Sequence, residues 1–206
     1  MTQSTPSRRT IALDSLSDAE RYYLLISAIV PRPIAWVSSL SSDGQANLAP
    51  FSFFQGVSST PPILMIAIAK TKSDGSPKDT LANIIATKEF VVGSVHQAQA
   101  PSVVASAEEL DAGESEFAHA GVTTFPAIRV APACIEGSGV NLECRLERTI
   151  AIGNSVAVFG EILLAQIDES LLDARNTVDP ERLRPLARLG GSLYLPYGAA
   201  QRIRRR

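Results

Sequence analysis

The sequence is poor in the residues that most often carry catalysis. Its 206 residues include only two histidines and two cysteines. Neither His96 nor His119 has a second ligand at a metal-binding spacing, so we expect no metal site. Cys134 and Cys144 match neither a zinc pattern nor a disulfide framework. Unpaired cysteines of this kind favour a reducing, cytoplasmic compartment.

The common catalytic and nucleotide-binding motifs are absent as well. The chain has no Gly-x-Ser-x-Gly nucleophile elbow and no Gly-x-Gly-x-x-Gly or Walker loop. An enzyme without these motifs often leaves the difficult chemistry to a bound cofactor. The sequence therefore assigns no catalytic residue.

Charge and hydropathy restrict the partners that we expect. The net charge is −2 and the pI about 5.7, whereas nucleic-acid-binding domains are usually basic. The arginines of residues 201–206 form a short basic tail that we interpret as solvated. The longest strongly apolar run, residues 63–69, is too short to cross a bilayer, and the polar N-terminus is unlike a signal peptide. We expect a soluble cytoplasmic protein that binds neither nucleic acid nor membrane.

The length fits a single domain over residues 1–206. It would comprise an N-terminal helix at 17–30, a core at about 31–194, and the tail. Strand patterns outnumber the three or four helices and lie at 34–40, 46–55, 63–69, 89–95, 130–137, 141–152 and 155–168. The turn signals Asp43-Gly44 and Gly153-Asn154 make several of them sequential hairpins. This order favours an antiparallel barrel with attached helices over a doubly wound sheet.

A glycine-containing loop leads into a predicted helix at residues 72–83, which read KSDGSPKDTLAN. Ser76 is the predicted N-cap, with Pro77 at the first helical position and Asp79 as its capping-box partner. Lys78 and Thr80 then lie at the helix start, where unpaired N–H groups favour an anion. An ordinary capped surface helix is the alternative that these residues leave open.

Residues 47–54, NLAPFSFF, are unusual for a strand. One interpretation is a bulged strand with an aromatic core face. The other is the wall of a ligand site, because the proline frees backbone groups and Ser52 offers a hydroxyl. A planar heteroaromatic ring with a phosphate tail needs such backbone groups, together with hydroxyls and a cation.

These motifs carry a resemblance to a known family. The segments RPIAWVSSLSSDGQANLAPFSFFQGVSSTPP, KDTLANI and EFVVGSV resemble the flavin reductase-like family of FMN-binding split β-barrel proteins. The segment DPERLRPLARLGGSLY is similar to the longer bacterial branch of that family. The resemblance spans residues 31–194. It implies a mainly β (α+β) fold, a six-stranded antiparallel split β-barrel with Greek-key character and peripheral helices. It also implies an FMN flavoprotein and a homodimer with FMN near the subunit interface.

The resemblance further implies the residues that contact the cofactor. Residues that would line or cover the flavin are Trp36, Val37, Ser38, Ser39, Ser58 and Tyr194. Residues that would present backbone groups to the isoalloxazine ring are Asn47, Leu48 and Ala49. Side chains that would face the ribityl-phosphate are Ser52, Lys78 and Thr80.

One departure from the family pattern leaves the reaction open. Short-chain flavin reductases of the family typically carry an Asp-His pair, associated with nicotinamide handling, where this chain has Asn154-Ser155. One hypothesis is an NAD(P)H-dependent oxidoreductase that passes electrons through FMN to free flavin, a ferric chelate or a partner protein. A second is an FMN-carrying electron-transfer protein that a partner protein reduces. A third is a barrel that serves only as an interaction module.

Overall fold

The computed structural model describes residues 7–110, 114–201 and 203. The strands, in chain order, are β1 Arg32–Pro33, β2 Ala35–Leu40, β3 Ala46–Phe51, β4 Phe54–Ser59, β5 Pro62–Ala69, β6 Glu89–Gly93, β7 Thr124–Phe125, β8 Cys134–Ile135, β9 Val140–Ile152, β10 Ser155–Ile167, β11 Ala187–Arg188 and β12 Tyr194–Leu195. The α-helices are α1 Asp18–Ala28, α2 Asp79–Thr87, α3 Ala100–Ala105, α4 Glu116–His119 and α5 Pro180–Leu183. Most of the predicted basic tail lies outside the described residues.

The main sheet has seven antiparallel strands in the order β3-β2-β6-β9-β10-β5-β4. Its two edge strands, β3 and β4, are consecutive in the chain and are separated only by a bend at Ser52 and Phe53. The ends of the sheet are thus joined by the chain itself, and no ladder closes the ring among the described strands. The antiparallel, mainly β prediction is confirmed, but the prediction of a six-stranded barrel is wrong.

The strand count differs because the predicted strand at 46–55 is divided in two. In the first part, β3 pairs with β2 as far as Phe51, which lies opposite Ala35. Ala35 is also the first residue of β2. The chain just before it contains Pro33, which has no N–H group and so cannot donate to β3. Beyond this point the chain has no partner on β2, so it bends, and Phe54 pairs with Ile66 of β5.

Strand β2 is buried on both faces and divides the core in two. Ala35 and Val37 belong to one apolar cluster, with Ile84 of α2, whereas Trp36 belongs to a second, which includes Leu48. Alternate side chains of a strand point to opposite faces, which explains the division. The Trp36 indole N–H also donates to the Ser106 hydroxyl at 2.9 Å, which ties β2 to the end of α3.

The long hairpin is confirmed, with β9 and β10 of 13 residues each on either side of the Gly153-Asn154 turn. Helix α5 ends at Leu183, because the next residue, Arg184, is left-handed (φ 46°) and Pro185 follows it. The strand predicted at 130–137 is reduced to β8. In the described part of the chain, no helix is long and apolar enough to span a membrane.

Candidate functional site

Two cavities meet at strand β3. The first, which we call the α2 cavity, has a volume of about 540 Å³ and lies between β3, the start of α2 and residues 106–110, 114 and 116. The second, the α1 cavity, has about 520 Å³ and lies between α1, β1 and the β11–β12 hairpin. Pro50, Phe51 and Ala107 line both cavities, so the end of β3 forms their common wall.

Helix α2 begins without a side-chain cap. The predicted N-cap, Ser76, is wrong, because the N-cap is Lys78 and no side chain caps the helix there. The Ser76 hydroxyl and N–H both donate to the Asp74 carboxylate, at 2.6 and 2.8 Å, and so form a local turn. The Leu81 N–H donates to the Lys78 carbonyl at 3.0 Å. Without a side-chain cap, the N–H groups that precede it at the start of α2 are available to an anion from outside the helix.

A carboxylate from a distant segment binds beside this helix start. Glu109 accepts hydrogen bonds from Lys78 Nζ at 2.9 Å, from the Ser73 N–H at 3.2 Å and from the Ser73 hydroxyl. The Ser73 hydroxyl, then Lys78 and the Ser73 N–H, lower the pKa of Glu109 to about 2. A cation, a hydroxyl and an N–H therefore already converge on one anionic group in this place.

The second lysine of the cavity is also paired. Lys72 Nζ lies 2.6 Å from Asp79 Oδ2, and this hydrogen bond is the main reason why the pKa of Lys72 is raised. Asp79 thus forms an ion pair with the loop that precedes the helix, rather than the capping box predicted for it.

Buried polar side chains form the floor of the α2 cavity. Asn47 Nδ2 donates to Thr80 Oγ1 at 2.8 Å and to Ser39 Oγ at 3.3 Å, and Asn83 Nδ2 donates to Ser39 Oγ at 3.2 Å. All four residues are buried. The cluster holds β3 against the first turn of α2. The sequence did not single out Asn83, although its i,i+3 spacing from Thr80 places both on one helix face.

Acidic residues of the α2 cavity outnumber its two lysines. The carboxylates that line the cavity are Asp74, Asp79, Glu108, Glu109, Glu114 and Glu116. The half-buried Glu116 differs from Glu109, because burial raises its pKa against the opposing effect of backbone N–H groups. The sequence did not reveal this acidic wall, since most of it comes from residues 108, 109, 114 and 116, in a polar stretch without a motif.

The structure divides the predicted cofactor residues among four places. The residues that line the α2 cavity are Asn47, Leu48, Ala49, Lys78 and Thr80. Ser52 and Tyr194 line the α1 cavity. The residues buried in β2, behind β3, are Trp36, Val37, Ser38 and Ser39. Ser58 is exposed on β4, where its hydroxyl accepts from the Thr60 N–H at 3.2 Å.

Comparison with known proteins gives a consistent family. A family model described as "Flavin reductase like domain" matches residues 27–186. An uncharacterized protein of Aquifex aeolicus is 38% identical over 174 residues, which cover 84% of this chain and 88% of the relative.

Two solved structures share the fold over nearly their full length. Nitrilotriacetate monooxygenase component B from Bacillus cereus superimposes with a TM-score of 0.91 at 27% identity, covering 97% of this chain and 100% of that one. The 2-nitrobenzoate 2-nitroreductase of Pseudomonas fluorescens gives a TM-score of 0.87 at 31% identity and covers 95% of each chain. The seven-stranded sheet and the cavity wall formed by β3 are consistent with these matches. The chain belongs to the flavin reductase-like domain family.

Proposed function

We propose that the chain is an FMN-binding oxidoreductase whose cofactor lies in the α2 cavity. The observation that carries this proposal is the convergence of Lys78 and Ser73 on a carboxylate beside the uncapped start of α2. A carboxylate is a stand-in for phosphate here, because both accept charge-assisted hydrogen bonds from the same donors. Because the chain belongs to the flavin reductase-like family, we assign this phosphate to a flavin nucleotide.

The residues present fit the rest of the cofactor. The cavity volume lies in the range that small-molecule ligands occupy. Strand β3 is an edge strand, so alternate residues turn their backbone N–H and C=O groups away from β2. Leu48 is one of them, because its N–H donates to the Glu116 carboxylate in the α2 cavity. The isoalloxazine ring is neutral and rich in nitrogen, and it needs such backbone groups more than titratable side chains. This agrees with the scarcity of histidine in the chain.

The side chains then have distinct roles in binding. Lys78 and Thr80 hold the phosphate, and residues 47–49 orient the ring edge. Residues 36–39 lie on β2, the neighbour of β3, and hold β3 in place. Ser52 and Tyr194 line the α1 cavity, so Phe51 separates them from the cofactor. When bound, the flavin supplies hydride or electron transfer. The chain supplies binding, orientation and a wall that excludes water.

The names of two solved relatives support the proposed reaction class. One solved relative is named as a monooxygenase component and another as a nitroreductase. We therefore propose that electrons pass through the flavin to an acceptor such as free flavin, a ferric chelate or a partner protein, with NAD(P)H or a redox protein as the donor.

A second candidate function is supported by the Asn154-Ser155 departure. Asn154 lies in the hairpin turn between β9 and β10, where its carbonyl accepts from the Lys70 N–H at 3.1 Å, and Ser155 is the first residue of β10. They are not among the described residues that line either cavity. This candidate is an electron carrier that a partner protein reduces. Fast bleaching of the bound flavin by NADH or NADPH favours the reductase, and fast bleaching only by a partner reductase favours the carrier.

The FMN proposal is tested by absorbance. The purified protein is expected to be yellow, or to perturb the FMN spectrum saturably on titration. A colourless protein that leaves the FMN spectrum unchanged would contradict the proposal.

A further inference from the structure

The α1 cavity has the opposite charge to the α2 cavity. Arg32 and Arg188 line it, and no aspartate or glutamate is among its described lining residues. None of the ion pairs between described residues includes either arginine. Two guanidinium groups therefore face one cavity without a carboxylate to neutralise them.

Arg32 is a fixed, buried charge. Its side chain donates to the Ile29 carbonyl at 3.0 Å, the Leu189 carbonyl at 2.8 Å and Ser52 Oγ at 3.3 Å, and also to the Ile26 carbonyl. These acceptors are all neutral. Burial is the main cause that lowers the pKa of Arg32; Tyr22 opposes it, and the positive charge of Arg188 adds to the lowering. A buried charge with neutral partners keeps its field, which attracts an anion into the cavity.

Arg188 is the more accessible of the two arginines. It is half-buried, and it donates to the Tyr194 hydroxyl and to the Gly191 carbonyl. Its guanidinium lies 4.4 Å from the centre of the Tyr194 ring. This stacking holds the guanidinium plane in position, and a planar guanidinium can bind a carboxylate or phosphate through two parallel hydrogen bonds.

The remaining walls suit an aromatic body. Tyr22 and Tyr23 of α1 line the cavity with their rings 5.6 Å apart, and Phe51 and Tyr194 line it from β3 and β12. Aromatic rings attract one another in stacked and edge-to-face arrangements. The cavity therefore combines positive charge with aromatic surface.

We propose that the α1 cavity binds the second reactant, an aromatic molecule that carries a carboxylate or phosphate, with its anionic group at Arg188 in the field of Arg32. This inference rests on the proposed function, because a flavin ring along β3 would be reached across Pro50 and Phe51, which both cavities share. Two kinds of molecule combine an aromatic ring with such an anionic group: an aromatic acid and a nicotinamide dinucleotide.

Calorimetric titration with benzoate tests this site on the full chain without flavin. We expect benzoate to bind and its neutral analogue benzamide to bind much more weakly. Arg188→Gln should weaken benzoate about tenfold or more, because a charged hydrogen-bonding partner is lost. Arg188→Lys, which keeps the charge, should restore part of the affinity and guards against a folding defect. Arg145→Gln is the matched control, because Arg145 pairs with Glu161 on the exposed surface of the sheet.

Several outcomes would overturn the inference: no benzoate binding, equal binding of benzamide, or unchanged affinity in Arg188→Gln. FMN affinity is measured separately by absorbance and should stay unchanged in Arg188→Gln. An equal loss of FMN affinity would assign the arginines to the flavin phosphate and also overturn it. A wild-type protein that binds benzoate but not FMN would instead contradict only the proposed function.

The source of the reactant is decided by competition. If NADH displaces benzoate and itself binds more weakly to Arg188→Gln, the site serves a nicotinamide dinucleotide. If NADH leaves the benzoate titration unchanged, the site serves an aromatic acid.

Discussion

Lys78 carries the clearest prediction at the scale of single residues. Lys78→Ala is expected to weaken FMN binding by about 1.5–3 kcal/mol, since a charge-assisted hydrogen bond to phosphate is lost. Riboflavin, which has no phosphate, should bind equally to both proteins. Lys70→Ala is the control, because Lys70 bonds the Gly153 carbonyl at the hairpin turn. Unchanged FMN affinity in Lys78→Ala would refute the phosphate role.

Glu109 gives the opposite prediction. Its carboxylate occupies the donors that we assign to phosphate, so an incoming FMN must displace it. Glu109→Gln removes this competitor and should tighten FMN binding by up to about fivefold, the range of an exposed ion pair. Fluorescence titration with FMN measures the change, with riboflavin as the ligand that should not respond. Weaker FMN binding would show that Glu109 supports the site instead of competing with phosphate.

Within β10, Gly160 marks a close packing contact. A Cβ atom at this position would meet Phe90 Cε1 at 3.0 Å and approach Phe90 Cζ still more closely. Gly160→Ala should therefore lower the free energy of unfolding by about 1–3 kcal/mol through overpacking. A Cβ atom added at Gly56 of β4 would have no neighbouring atom within 4 Å. Gly56→Ala should therefore change the free energy of unfolding by less than about 0.5 kcal/mol. Urea unfolding distinguishes the two, and equal effects would contradict the packing argument.

Glu143 joins β9 to the segment that precedes β8. Its buried carboxylate accepts from the Ile128 N–H at 3.0 Å, the Arg129 N–H at 2.5 Å and Gln166 Nε2 at 2.8 Å. Burial alone would raise the pKa of Glu143, but these donors outweigh it and hold the pKa below its ordinary value.

A carboxylate whose pKa is lower in the folded than in the unfolded chain stabilises the fold. The contribution is fully present at pH values above the unfolded pKa, about 4.3 for glutamate, and is lost as the pH falls through the pKa of the folded state. Glu143→Gln should therefore lower the free energy of unfolding by about 1–3 kcal/mol at pH 7. The difference from wild type should shrink below about pH 4.3. Glu147→Gln, at an exposed pair with Arg148, is the control. A difference that is constant down to pH 2 would contradict the assignment.

Secondary-structure elements were predictable where the pattern is local. The hairpin of β9 and β10 follows from alternation and one turn signal. The helix predicted to begin at residue 17 does begin there, and its N-cap, Ser17, forms a reciprocal capping box with Glu20. The start of α2 was not predictable in the same way. Ser76 is a good cap by type, but Asp74 competes for its hydroxyl and N–H.

At the scale of the whole molecule, the resemblance predicts a homodimer. Helix α1 buries only Ile26, and apart from the two tyrosines of the α1 cavity it leaves Leu25 and the following Ile29 exposed. Exposed apolar surface of this kind is typical of subunit interfaces. Light scattering should therefore give twice the mass of the 22.0 kDa chain, with or without FMN. A monomer mass at working concentrations would contradict both the dimer and a cofactor site near its interface.

The sequence by itself determined the local features of this protein: strand alternation, the hairpin turn, Lys78 and Thr80 at the start of a helix, and the family motifs. The tertiary structure alone decided which of these features meet. Glu109 reaches Ser73 and Lys78 from a segment more than 30 residues away, and Arg188 approaches Arg32 only because β11 pairs with β1. The bend at Ser52 and Phe53 likewise turned one predicted strand into both edges of the sheet. Contacts of this range depend on how the whole sheet curls, which no short segment encodes.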